Sequence, residues 1–395
     1  MITFTIKYLL MNFIKNNKSY VIVLLIYLLI NILFLVKYAV RQDFIETYFI
    51  VFTYMILVFG SFFSIKYFKK FINSYKKFNT FFITSALFVF FVFIVVNLLV
   101  DGNTLNTDRW SALEVTIKSI LNLEYPYNVK DHLGKTTSNL PALFYIGLPF
   151  YLIGNIGFLQ PIVFGLLILL IYKLKYSNSQ KLLFLTLLLF SPAYLWEVFC
   201  KSDLMSNVFL LLVFMLLWHN KHKEDYFKKP YLLSLIIAFF VLTRAVVIIP
   251  LTFFLFKRLL KTSNIKKLKF GLGFVISVFL IFFPIILTIP DLPTALEHNP
   301  FNHQARVGPK VLQVSFLILP FIVSFWINSL QNVVKYSFII LSLLLFTTLV
   351  FYINKFGFSN AVIQSYFDIS YLGMILPFLV FYLLSIKNNA AIKRG

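Results

Sequence analysis

The chain has 395 residues, of which 60% are hydrophobic and only 13% charged, against about 25% charged in soluble domains; a soluble globular protein is excluded. Its formal net charge of +22 would suit a nucleic-acid partner. The lysines, however, fall in short clusters between apolar runs, which is the pattern of cytoplasmic loops and argues against nucleic acid.

Apolar runs of about 18 residues or more recur from one end to the other, each long enough to cross a hydrocarbon core of roughly 30 Å as a helix. They lack the strict alternation of barrel strands. The predicted class is an all-α polytopic membrane protein. The first apolar run has no small-residue cleavage site after it and reads as a retained helix. Spans are predicted at 20–39, 47–65, 80–100, 156–174, 181–199, 203–219, 270–289, 311–328, 333–353 and 369–386. The basic loops 66–77, 173–181, 219–229 and 257–269 place those ends, and both termini, in the cytoplasm. Segment 231–256 has basic loops on both sides and must cross an even number of times. Its length allows two half-helices of roughly 20 Å each, a hairpin turning at "LTRAV". Segment 141–155 reads as a short re-entrant or interfacial helix ended by Gly154 and Asn155. The sum is about twelve crossings, the hairpin counted as two.

With this threading, all of the 14 acidic residues except Glu224 and Asp225 lie in or beside outward loops. Acids contribute little to orientation, so their concentration calls for chemistry on that face. Four outer patches carry the candidates: 101–140, 197–207, 242–244 and 290–310. Asp108, with Trp110 beside it, reads either as a general base or as a solvated loop aspartate. Asp101 and Asp131 sit in turn-like contexts, "DGN" and "KDHLG". Arg244 has no acid near it in sequence, and its guanidinium fork suits a lipid-linked phosphate or snorkels to headgroups. Glu197 and Lys201 have the spacing of a helix-face pair. Asp203 follows as a helix cap, and with Asn207 it is a candidate for a sugar pocket. His298, His303 and Arg306 read as holders of an acidic headgroup or as solvated surface; the histidine spacing is not that of a metal site. Cys200 is the single cysteine, so no disulfide framework is expected.

In order, the chain shows a loop acid, an amphipathic stretch (110–122), "EYPY" (124–127), a polar spacer and the Pro-led "LPALFYIGLPFYLIG". This resembles the GT-C superfamily of membrane glycosyltransferases, in its polyprenol-phosphate-sugar-dependent, mannosyltransferase-like branch. "LFSPAYLWEVFCKSDLMSNVFLLLVF" and "AFFVLTRAVVIIPLTFFLF" are similar to two further elements of that family. Departures are two helices before the acidic loop, Arg109 in place of a second acid after Asp108, and Tyr125 where a glycine is usual. The resemblance implies a catalytic core at 80–290 with its outer loop at 101–140. A two-helix segment (1–79) precedes the core, and an outer loop with C-terminal helices (291–395) follows it. It implies transfer, with inversion, of mannose or another hexose from a polyprenyl-phosphate sugar to a hydroxyl on a glycan, lipid or protein, without a cofactor. Asp108 would be the base and Arg244 the phosphate clamp, supported by Lys201 or Arg306. Arg109, Trp110, Tyr127, Asp131, Glu197, Asp203 and His303 would contact substrate. A bacterial inner membrane is the expected location. A secondary transporter and a lipid-linked glycan polymerase or flippase are the alternatives.

Overall fold

The computed structural model describes residues 18–174, 176–304 and 308–386. Regular structure among them is helical, apart from one isolated bridge between Lys130 and Thr136. The described residues open with α1 (Lys18–Ala39), α2 (Thr47–Tyr67), the short α3 (Lys69–Ser74) and α4 (Phe78–Leu99). The long loop 101–140 then carries α5 (Arg109–Leu121) and leads into α6 (Ala142–Leu152). Next come α7 (Leu159–Lys173), α8 (Asn178–Leu189), α9 (Pro192–Phe199) and α10 (Leu204–His222). They are followed by α11 (Pro230–Val241), α12 (Ile248–Lys261), α13 (Asn264–Ile286), α14 (Leu292–Glu297) and α15 (Pro300–Gln304). The last elements are α16 (Lys310–Val323), α17 (Leu330–Phe358), a 3-10 segment over Ile369–Ile375 and α18 (Leu376–Ser385).

Among the described residues, seven helices are long and apolar enough to cross a bilayer: α1, α2, α4, α7 with its 3-10 lead-in, α10, α13 and α17. That is the architecture of a polytopic membrane protein. The other expected crossings fall on shorter or broken pieces. Predicted span 181–199 is the pair α8 and α9, bent by 61°. The break lies at Ser191, whose hydroxyl accepts the Tyr194 N–H, and at Pro192, which opens α9; a proline ring cannot continue the preceding helix but fits a first turn. Predicted span 369–386 is half 3-10 and half α. At about 2.0 and 1.5 Å per residue the two halves together reach roughly 29 Å.

The break at "LTRAV" falls where it was predicted, with α11 ending before Leu242 and Arg244 in extended backbone. The two halves do not form a self-packed hairpin. Helix α11 lies along α13, and α12 lies against α16 and α17. Phe214 of α10 stands between them, its ring 5.6 Å from Phe240 and 6.2 Å from Phe254. The apolar faces of the halves find different partners, so the turn is held open.

The basic loops gather at one end. Asn73 accepts the Ser179 N–H at 2.9 Å, Gln180 donates to the Leu384 carbonyl at 2.7 Å, and Tyr20 donates to that of Ile386 at 3.1 Å. Lys257 donates to the Phe325 carbonyl at 2.8 Å, and Lys266 pairs with Asp225. The loop 101–140, the α9–α10 junction, the Arg244 turn and Asp368 meet at the other end.

Candidate functional site

Asp108 occupies the N-cap position of α5, yet its carboxylate makes no cap hydrogen bond. It faces a cavity of about 280 Å³ instead, with the Lys135 ammonium 3.5 Å away. Arg109 opens α5 and reaches the Asp368 carboxylate; it also donates to the Ser370 hydroxyl at 3.2 Å and lies 5.2 Å from the Tyr371 ring. Burial alone would push the Asp368 carboxyl up. The Arg109 charge and the donors of Ser370 outweigh that and hold it at about 2.

The loop 101–140 is folded to present these groups. Asp131 accepts the N–H groups of Leu133 and Lys135 at 2.8 and 3.0 Å, closing the turn that carries Lys135. Tyr127 is buried and donates to the Asn139 carbonyl at 2.8 Å. The Ala142 N–H donates to the Leu242 carbonyl at 3.0 Å and ties the loop to the Arg244 turn. There Nη2 of Arg244 donates to both oxygens of Asp203, at 2.7 and 2.6 Å, and lies 3.4 Å from Oδ1 of Asn139. Asp203 also accepts from Asn207 at 2.6 Å. The Nε atoms of Arg109 and Arg244 and Nδ2 of Asn139 are buried without a partner. Such donors are expensive to leave unmade, and all three sit beside the cavity.

Five cationic side chains line this cavity: Lys37, Arg41, Arg109, Lys135 and Arg244. Among the described residues, Asp108 and Asp368 face them in the lining and Asp203 pairs with Arg244 from behind it, which leaves an excess of positive charge, so the space favours an anion. At Ser138, Arg244 and Tyr371 it meets an apolar groove of about 270 Å³, walled by Ile249, Phe316, Leu317 and Leu344 among others. On another side it adjoins a space of about 470 Å³ bounded by Tyr38, Arg41, Leu195, Trp196 and Phe199.

Of the residues singled out from sequence, Asp108, Arg109 and Arg244 line the polar cavity. Arg244 has the acid that its own segment lacks, supplied by Asp203 from the α9–α10 junction. Asp203 does stand at the N-cap of α10, but its carboxylate turns to Arg244 rather than capping. Trp110, Tyr127, Asp131, Glu197 and Lys201 are not in the lining. The Trp110 indole donates to the Gly102 carbonyl at 2.9 Å, and a Cβ on Gly102 would fall 2.4 Å from its ring. Glu197 does not pair with Lys201; it accepts the N–H and hydroxyl of Ser206 at 2.8 and 3.0 Å. Lys201 is in the left-handed region, φ 51°, past the end of α9. These five hold the scaffold around the cavity. The His303 side chain and Arg306 lie outside the described residues.

Sequence reasoning missed Lys37, Arg41, Asp368, Tyr371 and Trp196. A signal existed for the first two, because the threading expected from sequence puts these cations at the outward end of a helix, contrary to the positive-inside pattern. Asp368 stands alone before an apolar run, where an acid needs a partner.

No family model matches the chain, and no curated protein or solved structure matches it either.

Proposed function

We propose that the chain is an integral-membrane glycosyltransferase of the GT-C type, moving a hexose from a polyprenyl-phosphate donor to an acceptor hydroxyl. In this reading the chain crosses a bacterial inner membrane about twelve times, with both termini cytoplasmic and the cavity outside. The observation that carries it is the junction at Arg244, where a cation-rich polar cavity opens into an apolar groove. A sugar phosphate in the first space and a lipid tail in the second would place the phosphate at the junction.

Asp108 accepts the proton of the acceptor hydroxyl, whose oxygen attacks the anomeric carbon from the face opposite the phosphate. The bond from that carbon to the phosphate oxygen breaks, and its electron pair leaves on the lipid phosphate. A phosphate leaving group needs no general acid; it needs fixed positive charge, supplied by Arg244 with Lys135 or Lys37 nearby. The acceptor approaches by way of Trp196 and Tyr38.

The test is transfer by purified protein in bilayers across a panel of polyprenyl-phosphate sugars. Asp108→Asn is expected to lower the rate by about 10²- to 10⁴-fold, the range of a general base, while the donor still binds. Unchanged transfer in that variant would remove Asp108 from the chemistry. A transporter is the second reading, favoured by the broken pair α8–α9 and the open turn at Arg244. Substrate uptake with no transfer from any donor would establish it.

A further inference from the structure

The stretch "HNKHKEDYFKKP" joins α10 to α11 at the basic end of the molecule, and the proposed chemistry does not use it. Between these helices lies a cleft of about 490 Å³, walled by Val213, Phe214, Leu217 and Phe240 and bordered by Lys221, His222 and Lys229. Both lysines are exposed and take part in no ion pair among the described residues. His222 is only 7% exposed, and its Nδ1 has no hydrogen-bond partner. Trp218 holds its ring at 4.4 Å. Pro230 opens α11 at the same rim, so the first N–H groups of that helix have no intrahelical acceptor and present the positive end of its dipole.

We infer that this cleft binds an anionic phospholipid. The phosphate sits between Lys221 and Lys229, at the α11 N-terminus and within reach of His222, and one acyl chain lies along Val213, Phe214 and Leu217. Two features select this occupant together. A zwitterionic headgroup would bring its own ammonium beside the two lysines and the helix terminus, cancelling the attraction of its phosphate. A free phosphate would leave the apolar walls without a partner. Basic pockets between membrane helices select anionic headgroups on this physical basis. The nearby Asp225 does not neutralise the rim, because Lys266 engages it.

The full chain is reconstituted in nanodiscs holding equal amounts of phosphatidylglycerol and phosphatidylcholine. Lipids retained on release are then counted by native mass spectrometry. The wild type is expected to keep phosphatidylglycerol preferentially. Lys221→Gln with Lys229→Gln lowers that preference by about fivefold for each lysine removed. Both side chains are exposed, so this variant tests the headgroup without disturbing the fold. Val213→Trp fills the groove and removes retention of either lipid at this site; should it fail to fold, the lysine variant decides. Equal retention of the two lipids by the wild type, or an unchanged preference in the lysine variant, would overturn the inference. Equal thermal stabilisation by inorganic phosphate and by phosphatidylglycerol would also do so, by reducing the site to a free-anion site.

Discussion

The buried pair of Asp203 and Arg244 gives the most decisive test of how the cavity is built. Both side chains are almost wholly enclosed, 2% and 7% exposed, with contacts of 2.6 and 2.7 Å. Opposite charges whose centres lie about 4 Å apart, at an effective dielectric of about 20, attract by about 4 kcal/mol. Removing one partner of such a pair costs about 3–5 kcal/mol, because the other charge stays buried. Asp203→Asn keeps the shape and one acceptor for Nη2, so its expected destabilisation is at the lower end, about 3 kcal/mol. Arg244→Gln strands the carboxylate with only Asn207 as donor and should fall by a similar amount. The double variant buries neither charge. It is expected to be more stable than the sum of the singles by about 2 kcal/mol, within the range of contacting pairs. Unfolding by SDS in mixed micelles, run on all four proteins, measures the cycle. Single variants within about 0.5 kcal/mol of wild type, or additive effects, would refute a pair that fixes the turn.

Asp368→Asn tests the second ion pair through pH. The folded state holds this carboxyl at about 2, below its ordinary 3.8. Its stabilisation is therefore present above the ordinary value and is lost as pH falls through about 2. An acid-unfolding profile should flatten between those two values in the variant; an unchanged profile would detach Asp368 from Arg109. Trp196→Ala removes a wall shared by the polar cavity and the adjoining space. Under the proposed transfer, steady-state kinetics should show a higher acceptor KM with donor hydrolysis intact, and a change in donor binding instead would reassign that wall. Gly102→Ala forces Trp110 to move, since the new methyl would lie 2.4 Å from its ring. A loss of about 1–3 kcal/mol is expected for such overpacking, seen as lower thermal stability of the outer loop under limited proteolysis.

Much of the fold follows from the apolar periods, and the exceptions have local causes. The long helices are legible because each run is nearly uniform in hydropathy. The bend between α8 and α9 is written in "SP", which makes a cap and a breaker adjacent inside one apolar run. The two halves around Arg244 were legible as short helices; their separate partners were not, because a uniformly apolar helix does not say which neighbour it will cover. At the site, the outer-loop aspartate and the turn arginine were visible as charges where charge is expensive. Their partners were not. Arg109 finds Asp368, and Arg244 finds Asp203, across 259 and 41 positions of chain, and no local pattern encodes such distances. Asp131 and Tyr127 carried the right chemistry for a sugar contact but are engaged in shaping the loop backbone.

Helix α18 has a consequence for how the protein is made. Every residue from Leu376 to Leu384 is buried, against α1, α8, α10 and α17. An apolar helix with no lipid-facing side therefore arrives after the bundle that must enclose it has been synthesised. Until then, those four helices have an unfilled seam between them. Of the helices in this seam α18 is the last in chain order, and the 3-10 segment just before it sets Tyr371, with Asp368 at its start, in the cavity wall. A chain truncated before Leu376 would keep the loop 101–140 and Asp368 but lose the buried helix that fills the seam.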